Sequence, residues 1–473
     1  MSKPLAVPSD LIAASATEIA RAIRDRVVSS LDVVEAHLAR IAAVNPALNA
    51  VVQVADETAR QQARAADAAL ARGERLGPLH GVPFTVKDTI ESAGLPCTGG
   101  TLGRARHVPD TDATVVARLR AAGGIVLGKT NVPELAAAFE SDNLVYGRSS
   151  NPYDLARTPG GSSGGEAAII AARGSPLGLG TDAGGSIRLP AHFCGLAAVK
   201  PTAGRIPRTG QFPYPLGFRQ ALSHASPIAR RVEDLVLVLP LLSGPDFADH
   251  AVVDAPLGDP RAIALRGLRV AFYTDIGAVK PTPATAIAVK KAATLLEEAG
   301  VAVEEASPPG LEESADLFSR IFGADGGAGA RALFAQIGTA EVSPLLQRSL
   351  GTLFANAART PDDLFQLAAR WDRFRSTMLG FMKRYDAVLA PIAAFPAVLH
   401  GTSFDEDKAP GFHYTMTYNL TGWPSTAIRA GTSPEGLPIG VQIAARPWRE
   451  DVSLALAAAL EERLGSFPGP TAL

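Results

Sequence analysis

Apolar residues near the start of the chain recur three and four positions apart, whereas beyond about residue 80 they gather into short runs separated by glycine and proline. Ser15 and Glu18 have capping-box spacing ahead of Ile19, Ala22 and Ile23, which predicts a helix. Val33, Val34, His37, Leu38 and Ile41 mark one face of a second helix over 30–44. That helix is expected to stop at Asn45-Pro46, because a residue before proline is pushed out of helical geometry. A short extended run follows over 49–54. Residues 56–72, rich in Ala, Arg and Gln, read as a third helix with a wet polar face.

The rhythm then alternates. Strands are expected at 82–87, 125–127 and 177–180, with helices at 113–122 and 166–172. The unit repeats as strand 268–273, helix 283–299 and strand 301–304. Late strands at 386–389 and 439–443 precede a closing helix over 451–464. This alternation predicts an α/β fold on a mostly parallel or mixed sheet. Residues 311–381 read as a helical, glycine-spotted insertion packed on the core. The expected organisation is an N-terminal helical segment, 1–75, on a body spanning 76–473, together forming one structural domain. The Pro-rich stretches 201–215 and 243–260 read as surface loops.

Composition adds little to that picture but excludes some partners. Of 473 residues, 47% are hydrophobic and 19% charged, with a formal net charge of −2. Such a chain has ample core and no electrostatic pull toward nucleic acid or an anionic membrane. Two cysteines, Cys97 and Cys194, allow one bridge at most, which fits a reducing cytoplasm. The N-terminus shows no signal-peptide pattern, and the longest strongly apolar run, 235–242, is too short to cross a bilayer.

The chemistry must then come from the glycine-rich stretches. Residues 160–165, GGSSGG, have the composition of a linker, yet they adjoin the apolar run Ala167-Ala168-Ile169-Ile170. Neither residues 160–165 nor Gly178-Leu179-Gly180 fits the phosphate-loop pattern G-x-x-x-x-G-K-[ST]. A dinucleotide fingerprint fits only through Gly178, Gly180 and a non-glycine Ala183. Gly161-Ser162-Ser163-Gly164-Gly165 satisfies the nucleophile-elbow pattern centred on Ser163. That reading needs a histidine, and none of His192, His224, His250, His400 and His413 stands out.

A third reading joins three segments: 81–88 (GVPFTVKD), 160–166 (GGSSGGE) and 180–188 (GTDAGGSIR). Here the chain resembles the amidase signature family of serine hydrolases, whose triad is Lys–Ser–Ser. Ser186 matches the family's nucleophile, Ser162 its bridging serine and Lys87 its base. Ser186 lies 24 residues after Ser162 and 99 after Lys87, intervals ordinary for the family. Segments 125–131, 193–202, 226–230 and 436–443 are also similar to family segments, so the likeness spans about 80–460. It implies a large twisted mixed sheet flanked by helices. It also implies an oxyanion hole from the amides of Ala183, Gly184, Gly185 and Ser186, supported by Ser163, Asp182 and Arg188. By the same resemblance a cis peptide bond precedes Ser162, Cys194 is structural, and Ala136 sits near the acyl site. No metal or cofactor is implied, and the expected state is a monomer or homodimer.

The residue chemistry agrees. Lysine is a base only when neutral, and burial penalises its charged form. Lys87 ends an apolar run, so a desolvated amine there is reasonable. A serine hydroxyl both donates and accepts, which suits Ser162 to a relay from Ser186. The expected activity is cleavage of an amide, or a related ester or carbamate, through an acyl-enzyme. Aryl or bulky apolar groups are the expected substrates, because Ala136 is small and Phe139, Phe395, Phe412 and Tyr414 are available to line an apolar pocket. The competing expectation is a glutamine-hydrolysing subunit of a tRNA-dependent amidotransferase.

Overall fold

The computed structural model describes residues 8–74, 77–277, 279–355, 357–465, 467 and 469–470. The expected boundary at 75–76 lies outside the described residues. Among the described residues eleven strands form one mixed sheet. In chain order they are β1 (Val51–Val54), β2 (Pro83–Lys87), β3 (Ile125–Thr130), β4 (Leu177–Asp182), β5 (Ala197–Lys200) and β6 (His224–Ala229). The rest are β7 (Arg269–Phe272), β8 (Ala302–Glu305), β9 (Ala387–Pro391), β10 (Ser425–Thr432) and β11 (Pro438–Ala445). Their spatial order is β1-β3-β2-β4-β6-β5-β10-β11-β9-β7-β8. β3, β2 and β4 run parallel, whereas β4, β6, β5, β10, β11 and β9 pair antiparallel.

Successive side chains of a strand face opposite ways, so the sheet buries two apolar layers. Val126, Val199 and Leu389 face one layer, and their neighbours Leu127, Ala198 and Ala390 the other. The first layer is closed by helices Ala16–Arg24, Thr114–Ala121, Val232–Leu242, Pro283–Glu298 and Glu450–Leu464. The second is closed by Ser30–Leu48, Gly164–Ala171, Arg188–Cys194 and helices of the 311–381 region. The described residues of that region form four α-helices, Ser314–Phe322, Ala328–Ile337, Pro344–Phe354 and Pro361–Phe381. Among the described residues no helix is long and apolar enough to cross a membrane.

Two local expectations change. The capping box at Ser15 forms as expected, but the second helix runs through Pro46 to Leu48. Beyond its end, Asn45 Oδ1 accepts from the amides of Ala50 and Val51, which ties the turn leading into β1 back to the helix. The sequence pattern does not predict β5, β6 or β10. β6 carries Pro227 in mid-sheet, and β5 pairs with β6 only at Ala229 and Ile228, so that ladder ends before the proline. Cys97 and Cys194 are buried free thiols, in keeping with a fold that does not depend on disulfides.

Candidate active site

Lys87 is the last residue of β2, and Thr181 and Asp182 end β4, so parallel strands deliver all three to one edge of the sheet. The GGSSGG stretch leads into helix Gly164–Ala171 beside them. Its glycines serve close packing: a Cβ on Gly165 would lie 2.4 Å from the Asn131 nitrogen. The peptide bond between Gly161 and Ser162 is cis.

Lys87 is completely buried, and its Nζ donates to Ser162 Oγ and to Thr181 Oγ1, each at 2.7 Å. Burial lowers its pKa to about 7, against opposing fields from Asp182 and Glu166 that favour the charged form. Near neutral pH a large fraction of the amine is therefore uncharged, with a lone pair able to take the Ser162 proton. Ser162 and Ser186 line one cavity of about 850 Å³. Among the described residues no hydrogen bond joins their hydroxyls; the two segments meet through the Ser163 amide, which donates to Ser186 O at 3.1 Å.

The Asp182–Ser186 turn is held from beneath. Asp182 receives two hydrogen bonds of 3.0 Å from the Arg188 guanidinium, one of 2.9 Å from Asn419 Nδ2 and one of 2.8 Å from the Gly185 amide. Burial alone would raise the Asp182 pKa, but Arg188 and Asn419 outweigh it and hold the carboxyl below the usual range. Thr415 Oγ1 donates to Gly184 O at 2.6 Å. Gly185 has φ +121°, and a Cβ there would lie 2.2 Å from Thr415 Oγ1, so only glycine fits. Of the four amides expected to form an oxyanion hole, that of Gly185 donates to Asp182 Oδ1. The amides of Ala183, Gly184 and Ser186 have no protein acceptor among the described residues.

The remaining expected residues divide. Arg188 is buried and also donates to Gln442 Oε1 at 2.8 Å and Asn419 Oδ1 at 2.6 Å. Ser163 is buried, and its hydroxyl donates to Thr181 O at 3.3 Å and does not line the cavity. Ala136 does line it. Phe139 does not: it stacks on Phe412 at 5.0 Å, and Phe193 and Phe395 also pack on Phe412, so this aromatic group fills itself. Cavity aromatics come instead from Phe212, Tyr214, Phe218, Phe322 and Phe354. Cys194 is buried, which pushes its thiol pKa up and away from nucleophilic use.

Sequence reasoning misses Thr181, Glu166, Gln442 and Asn419. Thr181, Glu166 and Gln442 lie inside segments already singled out, but their roles depend on cross-sheet neighbours. Glu166 is fully buried, accepts from Thr85 and, at 2.6 Å, from Thr130, and burial raises its pKa to about 7.

The amidase family model matches residues 32–454. The chain belongs to the amidase signature family. It is 35% identical to an acylamidase of Rhodococcus erythropolis over 94% of each protein. It is also 35% identical to a subunit of the glutamyl-tRNA(Gln) amidotransferase of Acidothermus cellulolyticus, covering 97% of this chain and 96% of that one. The crystal structure of a bacterial aryl acylamidase of the same family superposes with TM-score 0.85 at 28% identity, covering 95% of this chain and 96% of that one. This amidase signature chain is accordingly an amide-cleaving hydrolase.

Proposed function

We propose that the protein hydrolyses neutral amides with bulky apolar or aryl groups, using Ser186 as nucleophile, Ser162 as proton bridge and Lys87 as base. The observation that carries this reading is the 2.7 Å contact of buried Lys87 with Ser162 on the wall of a largely apolar cavity shared with Ser186. Ser186 Oγ attacks the carbonyl while its proton passes to Ser162, whose own proton passes to Lys87. The free amides of Ala183, Gly184 and Ser186 receive the oxyanion, where one such donor is typically worth about 3 kcal/mol. Lys87 returns the proton through Ser162 to the departing nitrogen, which makes an amine a workable leaving group. Water then releases the acyl group from Ser186 by the same relay.

The cavity's charges favour a neutral substrate. Among the described lining residues the charged ones are Arg104, Arg219 and Asp325. Arg104 pairs with Glu91 at 3.2 Å and lies 3.9 Å over the Phe212 ring; Arg219 and Asp325 pair with each other at 2.7 Å. A zwitterion such as glutamine needs unpaired charges of both signs, so the amidotransferase reading is disfavoured. The elbow reading is disfavoured because the Ser163 hydroxyl turns to Thr181 and away from the cavity. A panel of anilides, alkyl amides, aryl carbamates and glutamine, offered to the purified chain alone, tests the proposal. Turnover of anilides without glutaminase activity supports it, and glutamine as the preferred substrate overturns it.

A further inference from the structure

The sheet face that carries Lys87 also holds a buried carboxylate with no part in the relay. Thr85 and Lys87 lie two residues apart on β2 and so share a face, and Thr130 of β3 is the register partner of Lys87. Helix Gly164–Ala171, which begins two residues after Ser162, packs against these strands and brings Glu166 to the two threonines. Thr130 Oγ1 donates to Glu166 Oε2 at 2.6 Å, and Thr85 Oγ1 donates to Oε1. Gly178 of β4 is the register partner of Thr85, and a Cβ there would collide with Glu166 Oε1. The sheet is thus hollowed where the carboxylate sits. Glu166 is fully buried and does not line the cavity, so it is out of reach of substrate.

The charges around it are few. Lys87 of β2 and Lys129 of β3 are the cations whose fields reach Glu166, and both favour its anion. Glu166 and Asp182 are the anions whose fields reach Lys87, and both favour the ammonium. Asp182 is paired with Arg188 at 3.0 Å, whereas among the described residues Glu166 is held by the two hydroxyls alone. Other ionisable groups on the elements packed against this helix turn elsewhere. His37 bonds Arg173 O and Arg40 bonds Ala172 O, both beyond the far end of the helix; His192 bonds Phe395 O, and His224 bonds Asp182 O.

We infer that Glu166 is a positioning residue of the hydrolysis, which ties the helix following Ser162 to the strands that carry and flank Lys87 and sets the pH at which Lys87 becomes neutral. This inference rests on the reading of Lys87 as the base. The two threonines hold the carboxylate against both strands, so the Lys87–Ser162 spacing depends on it. The sign of the electrostatic effect follows from the charges. An ionised Glu166 favours the ammonium and delays loss of the Lys87 proton as the pH rises. Removing that charge while keeping the shape lets the neutral amine form at lower pH.

The test measures kcat and KM for a neutral anilide from pH 5 to 10 on wild type, Glu166→Gln, Glu166→Ala and Lys87→Ala. Rates are normalised to sites titrated to completion with a fluorophosphonate, so misfolded protein does not count. Glu166→Ala should lower kcat on the alkaline plateau by about tenfold or more, with KM within about threefold, because the spacing is lost and the cavity is untouched. Glu166→Gln bonds both threonines and should recover most of that loss. Its acid limb should move to lower pH, so that the fraction of plateau activity kept at pH 5.5 rises by about threefold or more. A glutamate that only supports the fold would not move the limb. An unmoved limb in Glu166→Gln, or an unchanged kcat in Glu166→Ala, overturns the inference; the base assignment then stands if Lys87→Ala is inactive. If Glu166→Ala does not fold, the limb of Glu166→Gln decides alone. Wild-type activity in Lys87→Ala overturns the inference and the base assignment together.

Discussion

Lys87 Nζ lies 2.7 Å from Ser162 Oγ with no solvent reaching the lysine, so the proposed base is buried within hydrogen-bonding distance of its proposed proton bridge. The Thr181 hydroxyl, also at 2.7 Å, fixes the amine's second direction. A lysine in water is charged and useless as a base; this one is placed where charge is penalised.

The first consequence is a pH profile. In the proposed mechanism the working form is the neutral amine, and burial lowers its pKa to about 7. Activity should rise with pH through about 7 and level off above it, falling close to tenfold per unit well below it. The measurement is kcat/KM for a neutral anilide from pH 5 to 10. A profile still climbing beyond pH 9 would mean that the base is a solvated lysine.

Thr181→Val keeps the shape and removes an acceptor from the Lys87 amine. The charged amine loses more than the neutral one, so the acid limb should move to lower pH. Loss of orientation should also reduce kcat by about tenfold, the scale of one buried hydrogen bond. Kinetics as a function of pH separate the two effects; an unmoved acid limb would rule out the contact.

Asp182→Asn removes the charge opposite Arg188 in a fully buried network. Breaking a buried pair by removing one partner costs about 3–5 kcal/mol. Urea unfolding should show a lowered midpoint, and kcat should fall because the turn carrying the free amides loses its anchor. A midpoint within error of wild type would show that Arg188 is satisfied by Gln442 and Asn419 alone.

Much of this is legible in the sequence where a residue's neighbours in the chain decide its fate. The 82–87 run reads as a strand because the residues ahead of Lys87 are apolar or β-branched, and β2 ends on Lys87 as that reading requires. β6 (HASPIA) and β10 (STAIRAGT) escape notice because small residues, Pro and Gly carry no alternating pattern. Both strands are covered on both faces along most of their length, which removes the polar half of the alternation. At the site, the motif singles out the candidate serines but not which amides are free: Gly185 N–H donates to Asp182, a contact the spacing does not reveal. Phe139 is aromatic and close in sequence to Ala136, which suggests a place near substrate, yet Phe412 takes its face.

Ala136 lines the cavity, so size there should sort substrates. Ala136→Phe should reduce kcat/KM for a naphthyl anilide by about tenfold or more while leaving acetanilide within about threefold. Equal effects on both substrates would show that the side chain disturbs the turn and does not shape the pocket.

The central claim is that Lys87 activates Ser186 through Ser162. The most direct measurement is fluorophosphonate labelling with peptide mapping, on wild type and Lys87→Ala. The account predicts modification at Ser186 and a rate of labelling lowered by about a hundredfold or more in the variant, the scale of a lost general base. Modification at Ser163, or labelling of Ser186 at an unchanged rate without Lys87, would contradict it.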